Sequence, residues 1–121
     1  MATSPELKDL IMNALAGGAA FQIPAMYLRL HKGAPGASGT GNLASNATRM
    51  ITTWSPSSGG MIALAAPLVW TATHSEVISH WSLWNHLTAG VWLHSDAFHA
   101  AKSVTAGDEI YVPAGSITLH M

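Results

Sequence analysis

The stretch that decides the fold is Glu76-Val77-Ile78-Ser79-His80-Trp81-Ser82-Leu83-Trp84, then Asn85-His86-Leu87-Thr88-Ala89-Gly90, then Val91-Trp92-Leu93-His94-Ser95. It reads as a strand over 77–84, a tight connection over 85–90, and a second strand over 91–95. Val77, Trp81 and Leu83 share one parity of the first run, and Val91, Leu93 and Ser95 share one parity of the second. Apolar residues at period two with polar residues between them mark half-buried strands. After a loop, 109–112 and 116–120 read as a closing pair. Ile110 and Val112 alternate with Glu109 and Tyr111, and Ile117 and Leu119 with Ser116, Thr118 and His120. Pro113-Ala114-Gly115 supplies the turn between them.

Upstream, Ser4 can cap a helix with Pro5 at its first position, or Thr3 can cap with Glu6 in a capping box. Leu7, Leu10, Ile11, Ala14 and Leu15 then follow the spacing of one apolar helix face, and Gly17-Gly18 stops the helix. About three turns are marginal alone, so this helix must dock on its own sheet or on a neighbour. A strand is predicted over 25–32, with Met26, Leu28 and Leu30 on one face and Tyr27, Arg29 and His31 on the other. Glycines and prolines make 33–46 a loop, and about fourteen residues without periodicity is long for a compact domain unless the loop is functional or ordered by a partner. Residues 48–54, 61–65 and 68–72 complete the strands, with Pro67 at a boundary. The expectation is a mostly β chain: a compact β-sandwich or jelly-roll-like domain with one N-terminal α-helix. It is read as a single domain over 1–121, with the helix in 1–18 and the β domain in 25–121.

Of the 121 residues only 9% are charged, and the net charge is −1. An average protein carries about 25% charged residues. Nucleic-acid binding normally needs clustered Lys and Arg, so no nucleic-acid partner is expected. A neutral skin of Ser, Thr, Gly, Asn and His favours association, and the chain reads as a packed subunit of an assembly. With no Cys, disulfides and thiolate metal sites are excluded. No run approaches the ~18 apolar residues of a membrane helix, and the early Glu6, Lys8 and Asp9 do not suit a signal peptide. The expectation is synthesis in a cytoplasm and no membrane partner.

The seven His residues invite a metal reading. His94, Asp96 and His99 are close in sequence, and in an extended segment His94 and Asp96 share a face. That spacing matches no strong zinc motif, and His80 and His86, which flank Trp84, are no stronger. No metal or cofactor is assigned, and a small His-based metalloprotein stays a minor alternative. Catalytic residues are not assigned either: there is no G-x-S-x-G elbow, no paired carboxylates stand out, and the loop over 33–41 lacks the Lys of a phosphate loop. Among the five Trp residues, Trp84 and Trp92 oppose the aliphatic parity of their strands, which leaves two placements: packed in the core against the helix or a second sheet, or facing outward. Exposed indoles anchor subunit contacts or stack on sugars. This gives two readings: an interface formed by Leu7, Leu10, Ile11, Trp84 and Trp92, joined by the loop over 33–46, or a carbohydrate-binding module for host recognition.

Almost end to end, the chain resembles a family of small tailed-bacteriophage structural proteins of tail, fibre or capsid-accessory type. The likeness rests on the helix ending at Gly17-Gly18, on Pro24 followed by Tyr27-Leu28-Arg29-Leu30-His31, on a Gly/Pro-rich loop, on a strand entered through Arg49, and on Trp81-Ser82-Leu83-Trp84. It continues through Val104-Thr105-Ala106-Gly107-Asp108 and Val112-Pro113-Ala114-Gly115-Ser116-Ile117-Thr118-Leu119. Ala47 and Thr88-Ala89-Gly90 depart from the family's usual aromatic residue and Gly pair. The resemblance implies a non-enzymatic virion structural protein, either decorating the capsid or serving as a minor tail protein on the particle exterior. The implied partners are other copies of itself and the phage major capsid or tail proteins. A trimer would suit a local three-fold axis of the shell.

Overall fold

The computed structural model describes residues 2–16, 25–56 and 59–120. In chain order the elements are β1 (Ala2–Thr3), α1 (Pro5–Leu15), β2 (Tyr27–His31), β3 (Met50–Ile51), β4 (Met61–Ala63) and β5 (Leu68–Thr71), followed by β6 (Glu76–Trp84), β7 (Trp92–Val104), β8 (Glu109–Val112) and β9 (Thr118–His120). An antiparallel five-stranded sheet has the order β1-β7-β6-β2-β3, and two smaller ladders pair β4 with β9 and β5 with β8. The fold is therefore mostly β with one N-terminal helix, and its ladders pack in sandwich-like fashion. Leu28, Leu30, Ile78, Trp81 and Leu83 of the large sheet join Leu64, Trp70, Ile110, Val112 and Ile117 of the smaller ladders in one buried cluster.

Helix α1 begins as Ser4-Pro5 dictates. Ser4 is fully buried, its Oγ accepts the Leu7 N–H at 3.1 Å, and its own N–H donates to the Leu93 carbonyl at 2.8 Å. Thr3 belongs instead to β1, which pairs with Ser95 and His94 of β7. The cap thus also fastens the helix to the sheet. The predicted stop at Gly17-Gly18 lies outside the described residues, and α1 ends at Leu15.

Several strand boundaries differ from expectation, each for a local reason. Val77 is 46% exposed and Ile78 is buried, so Val77 does not share the inward face of Trp81 and Leu83. The inward parity switches between Ile78 and Trp81, where the β6–β7 register shifts: Ile78 faces Lys102 but His80 faces Ala97. Residues of β7 beyond the pairing are taken up in that irregularity, which is how an antiparallel ladder reverses a face. Strand β7 also runs through 96–104, read as loop, because its outer half pairs with Glu76, Val77 and Ile78 while burying little that alternation could reveal. Strand β3 is only Met50–Ile51, shorter than 48–54. Beyond it the Thr52 N–H and hydroxyl both donate to the Met26 carbonyl (2.9 and 2.8 Å), and Trp54 bridges Leu64, carrying the chain from the large sheet to β4. The two closing strands do not pair with each other; β8 takes β5 and β9 takes β4.

The loop after β2 covers the second face of the large sheet. Its return is pinned by Lys32 N–H to Asn42 O (2.8 Å) and Ala44 N–H to Leu30 O (3.1 Å). Beneath it, His31 is fully buried, with Nδ1 2.7 Å from the Gly41 carbonyl and Nε2 2.7 Å from Ser82 Oγ. A carbonyl can only accept, so Nδ1 carries the proton of the neutral ring and Nε2 accepts from the Ser82 hydroxyl. Ser82 Oγ in turn accepts the Trp84 indole N–H at 2.8 Å. Trp92 packs directly under Gly39: a Cβ there would sit 2.5 Å from the indole ring, and Gly39 has φ +73°. Trp84 and Trp92 are consequently buried, 6% and 8% exposed, so of the two placements core packing is the one found and their assignment to an outward interface is corrected. The loop supplies a roof that strand parity cannot reveal.

Two outcomes follow. Gly39→Ala meets both a left-handed backbone and an indole, costing about 2 kcal/mol or more in urea unfolding. Gly36→Ala (φ +78°, open space) should cost only about 1 kcal/mol. Secondly, burial holds His31 and His94 below their ordinary 6.5; for His31 the like charges of Arg29 and His80 act in the same direction, while its bond to Gly41 and, for His94, Asp96 oppose it. The unfolded chain then takes up protons first as pH falls, so stability is complete above about 6.5 and declines below it. Urea midpoints should fall between pH 7.5 and 5, and His31→Gln should be less stable at pH 7.5 but flatter across that range.

Candidate assembly surface

The helix presents two faces. Leu7 packs against the core and Ile11 is half-buried, which answers the need of a short helix to dock. Leu10, Met12 and Leu15 stand out at 40%, 62% and 76% exposure. Of the five residues predicted to form one interface, Leu7, Leu10 and Ile11 therefore lie together on α1, with Leu10 the most open of the three. Trp84 and Trp92 are instead buried, beneath Arg49 and Gly39. A sugar-stacking site on these two indoles has no open ring face, since Arg49 covers Trp84 and Gly39 covers Trp92.

Two open grooves flank the connection 85–90. One, of about 650 Å³, runs between α1 and the end of the sheet; Glu6, Asp9, Leu10 and Asn13 form its helical wall, with Tyr27 and Val91 opposite. Positions 6, 9, 10 and 13 share a helix face by their spacing. The other, of about 520 Å³, is bordered by Arg29, Thr48, Arg49, Leu87, Thr88 and Ala89. Here the Arg49 guanidinium stacks 4.1 Å from the Trp84 ring centre, and its Nη1 donates to the carbonyls of His86 (2.9 Å) and Ala89 (2.6 Å). Those bonds hold Ala89 at φ 50°, a left-handed conformation unusual for alanine. Arg29 Nε donates to the Ala47 carbonyl at 3.2 Å. Burial lowers the pKa of both arginines, and the like charge of Arg29 lowers Arg49 further.

These arginines were not singled out as site residues from sequence. The available signal was scarcity: the chain holds only five Lys and Arg together, and two of them lie on either side of the loop over 33–46.

The histidine cluster does not assemble. His94 is buried, 5% exposed, with Nδ1 3.0 Å from Thr3 Oγ1, its ring tilted against Trp81, and no hydrogen-bond partner on Nε2. Asp96 accepts the Ala97 N–H at 2.8 Å and lines, with His99 and Ser116, a separate cavity of about 330 Å³. Among the described residues no three His, Cys, Asp or Glu side chains gather as metal ligands would. No described helix is long and apolar enough to cross a membrane.

No curated protein matches the chain. A family model described as Podophage GP4 fiber I protein gp80 matches residues 2–120, nearly the whole sequence. The resemblance carried by the N-terminal helix, the Gly/Pro-rich loop and the closing strands is thereby substantiated: this chain belongs to the podophage GP4 fiber I protein gp80 family and is a small tailed-phage virion protein.

Proposed function

We propose that the chain is a non-enzymatic structural subunit of the phage tail fibre, held on the particle exterior by contacts with other copies of itself and with tail proteins. The family's fibre description favours a tail position over capsid decoration. The observation that carries self-assembly is helix α1, which buries only part of its apolar surface. Leu10, Met12 and Leu15 stay in water on a chain with eleven Asp, Glu, Lys and Arg residues in all, 5 + 6. Exposed apolar side chains on a weakly charged skin associate unless something covers them. Assembly proceeds by complementary apolar and Ser/Thr/Gly surface with little long-range steering, because net charge is −1. No reaction is assigned to any residue.

Sedimentation of the purified chain should show a defined oligomer. Met12→Ser with Leu15→Ser should shift it toward monomer while moving stability by only about 0.5 kcal/mol, as surface substitutions do; an unchanged oligomer would remove the helix from the interface. In purified virions, cryo-electron microscopy should locate the chain on the tail, and density repeating over the shell would overturn the tail assignment.

A further inference from the structure

Among the described residues Arg29 and Arg49 have no carboxylate partner. All six acidic side chains lie among the described residues. Glu76 receives the Ser45 N–H and hydroxyl, and Asp108 receives those of Thr105. Arg29 and Arg49 bond only to backbone carbonyls, so neither has a carboxylate partner among the described residues. Placing two like charges beside one groove, partly desolvated, is costly unless an anion completes the site. Both arginines border the groove together with the exposed Thr88 and with Leu87, which is 55% exposed. The groove thus joins an exposed apolar side chain to two cationic ones.

The complementary surface is on the same chain. Glu6 and Asp9 are exposed, line one wall of the neighbouring groove beside Leu10, and carry no ion pair among the described residues. The two surfaces adjoin successive parts of one connection: Asn85 and His86 border the acidic groove, and Leu87, Thr88 and Ala89 border the arginine groove. A copy turned over about Leu87 would set each acidic helix face against the other's arginines, the self-complementary arrangement of a two-fold contact.

We infer that the Arg29–Arg49 groove is a docking site for the Glu6–Asp9 face of helix α1 from a second copy of this chain, seated around Leu87. The inference rests on the self-assembly proposed above and assigns it a polarity: carboxylates of one copy to guanidiniums of the next. Arg49 already holds the 85–90 connection by its Nη1, so docking would load a segment that is built in advance.

A charge-exchange experiment tests this. Arg29→Glu gives a chain whose groove, with Arg49 left, carries no net charge beside its acidic helix face; Glu6→Lys with Asp9→Lys gives one with two basic surfaces, and the acidic helix face of the first can still enter the intact arginine groove of the second. Each alone should self-associate about ten-fold more weakly than the parent chain in sedimentation at low salt, and an equimolar mixture should recover association. Circular dichroism confirms folding, and Thr88→Glu replaces Arg29→Glu if that variant fails to fold. Parent-like association of the separate variants, or no recovery on mixing, would overturn the docking site while leaving self-assembly through other surfaces standing. A parent chain that is monomeric at all concentrations would overturn both. Saturable binding of free glucuronate that Arg29→Gln abolishes, with self-association unaffected by the same change, would give the groove to a small anion and also overturn the inference.

Discussion

The structure depends on one covered sheet face. A two-layer β protein normally leaves the far side of each sheet to water, but here β2, β6 and β7 carry His31, Ser82, Trp84 and Trp92 on that side, and a glycine-rich loop closes over them. The hydrogen bonds run in one direction, from the Trp84 indole to Ser82, from Ser82 to His31, and from His31 to the Gly41 carbonyl. Each group is both sheltered and satisfied. Leaving any member unpaired in that setting would cost about 1–3 kcal/mol. The chain thereby orders a long connection with very few charges, using neutral imidazole, hydroxyl and indole groups.

The same economy of charge shapes the exterior. With 9% charged residues, the surface cannot rely on dispersed ion pairs, so the location of each charge carries weight. Arg49 is placed over an indole, an arrangement that contributes about 1–2 kcal/mol when desolvated, and its Nη1 holds the connection over 85–90. Apolar side chains on α1 complete a skin suited to burial against neighbours. A virion component spends its working life in such contacts, and its fold need not be optimised for solitude.

The elements with local determinants were legible in the sequence. Ser4-Pro5 set the helix start, the Leu28/Leu30 and Ile110/Val112 alternations set the inward faces, and Gly33 to Gly41 set an irregular segment. The errors arose where distant groups intervene. Val77 and Ile78 exchanged faces because of a register irregularity with β7, which no local pattern encodes. The outer half of β7 went unread because it pairs at an exposed edge and buries little. For the candidate site, Leu7, Leu10 and Ile11 were visible by helical spacing, whereas Arg29 and Arg49 meet only through the pairing of β2 with β3 and β6.

What the sequence determined by itself was the class of chain: weakly ionic, cysteine-free, mostly strands after one capped helix, and patterned as a small tailed-phage structural protein. Composition, caps and period-two runs are local, and they survive whatever the tertiary arrangement. Only the folded structure decided which tryptophans see solvent, which strands pair at the C-terminus, and that two arginines share one groove with no carboxylate partner among the described residues. Burial and electrostatic pairing are properties of surfaces brought together across the chain, and Arg49 and Gly39, which cover Trp84 and Trp92, lie more than thirty positions away from them in sequence.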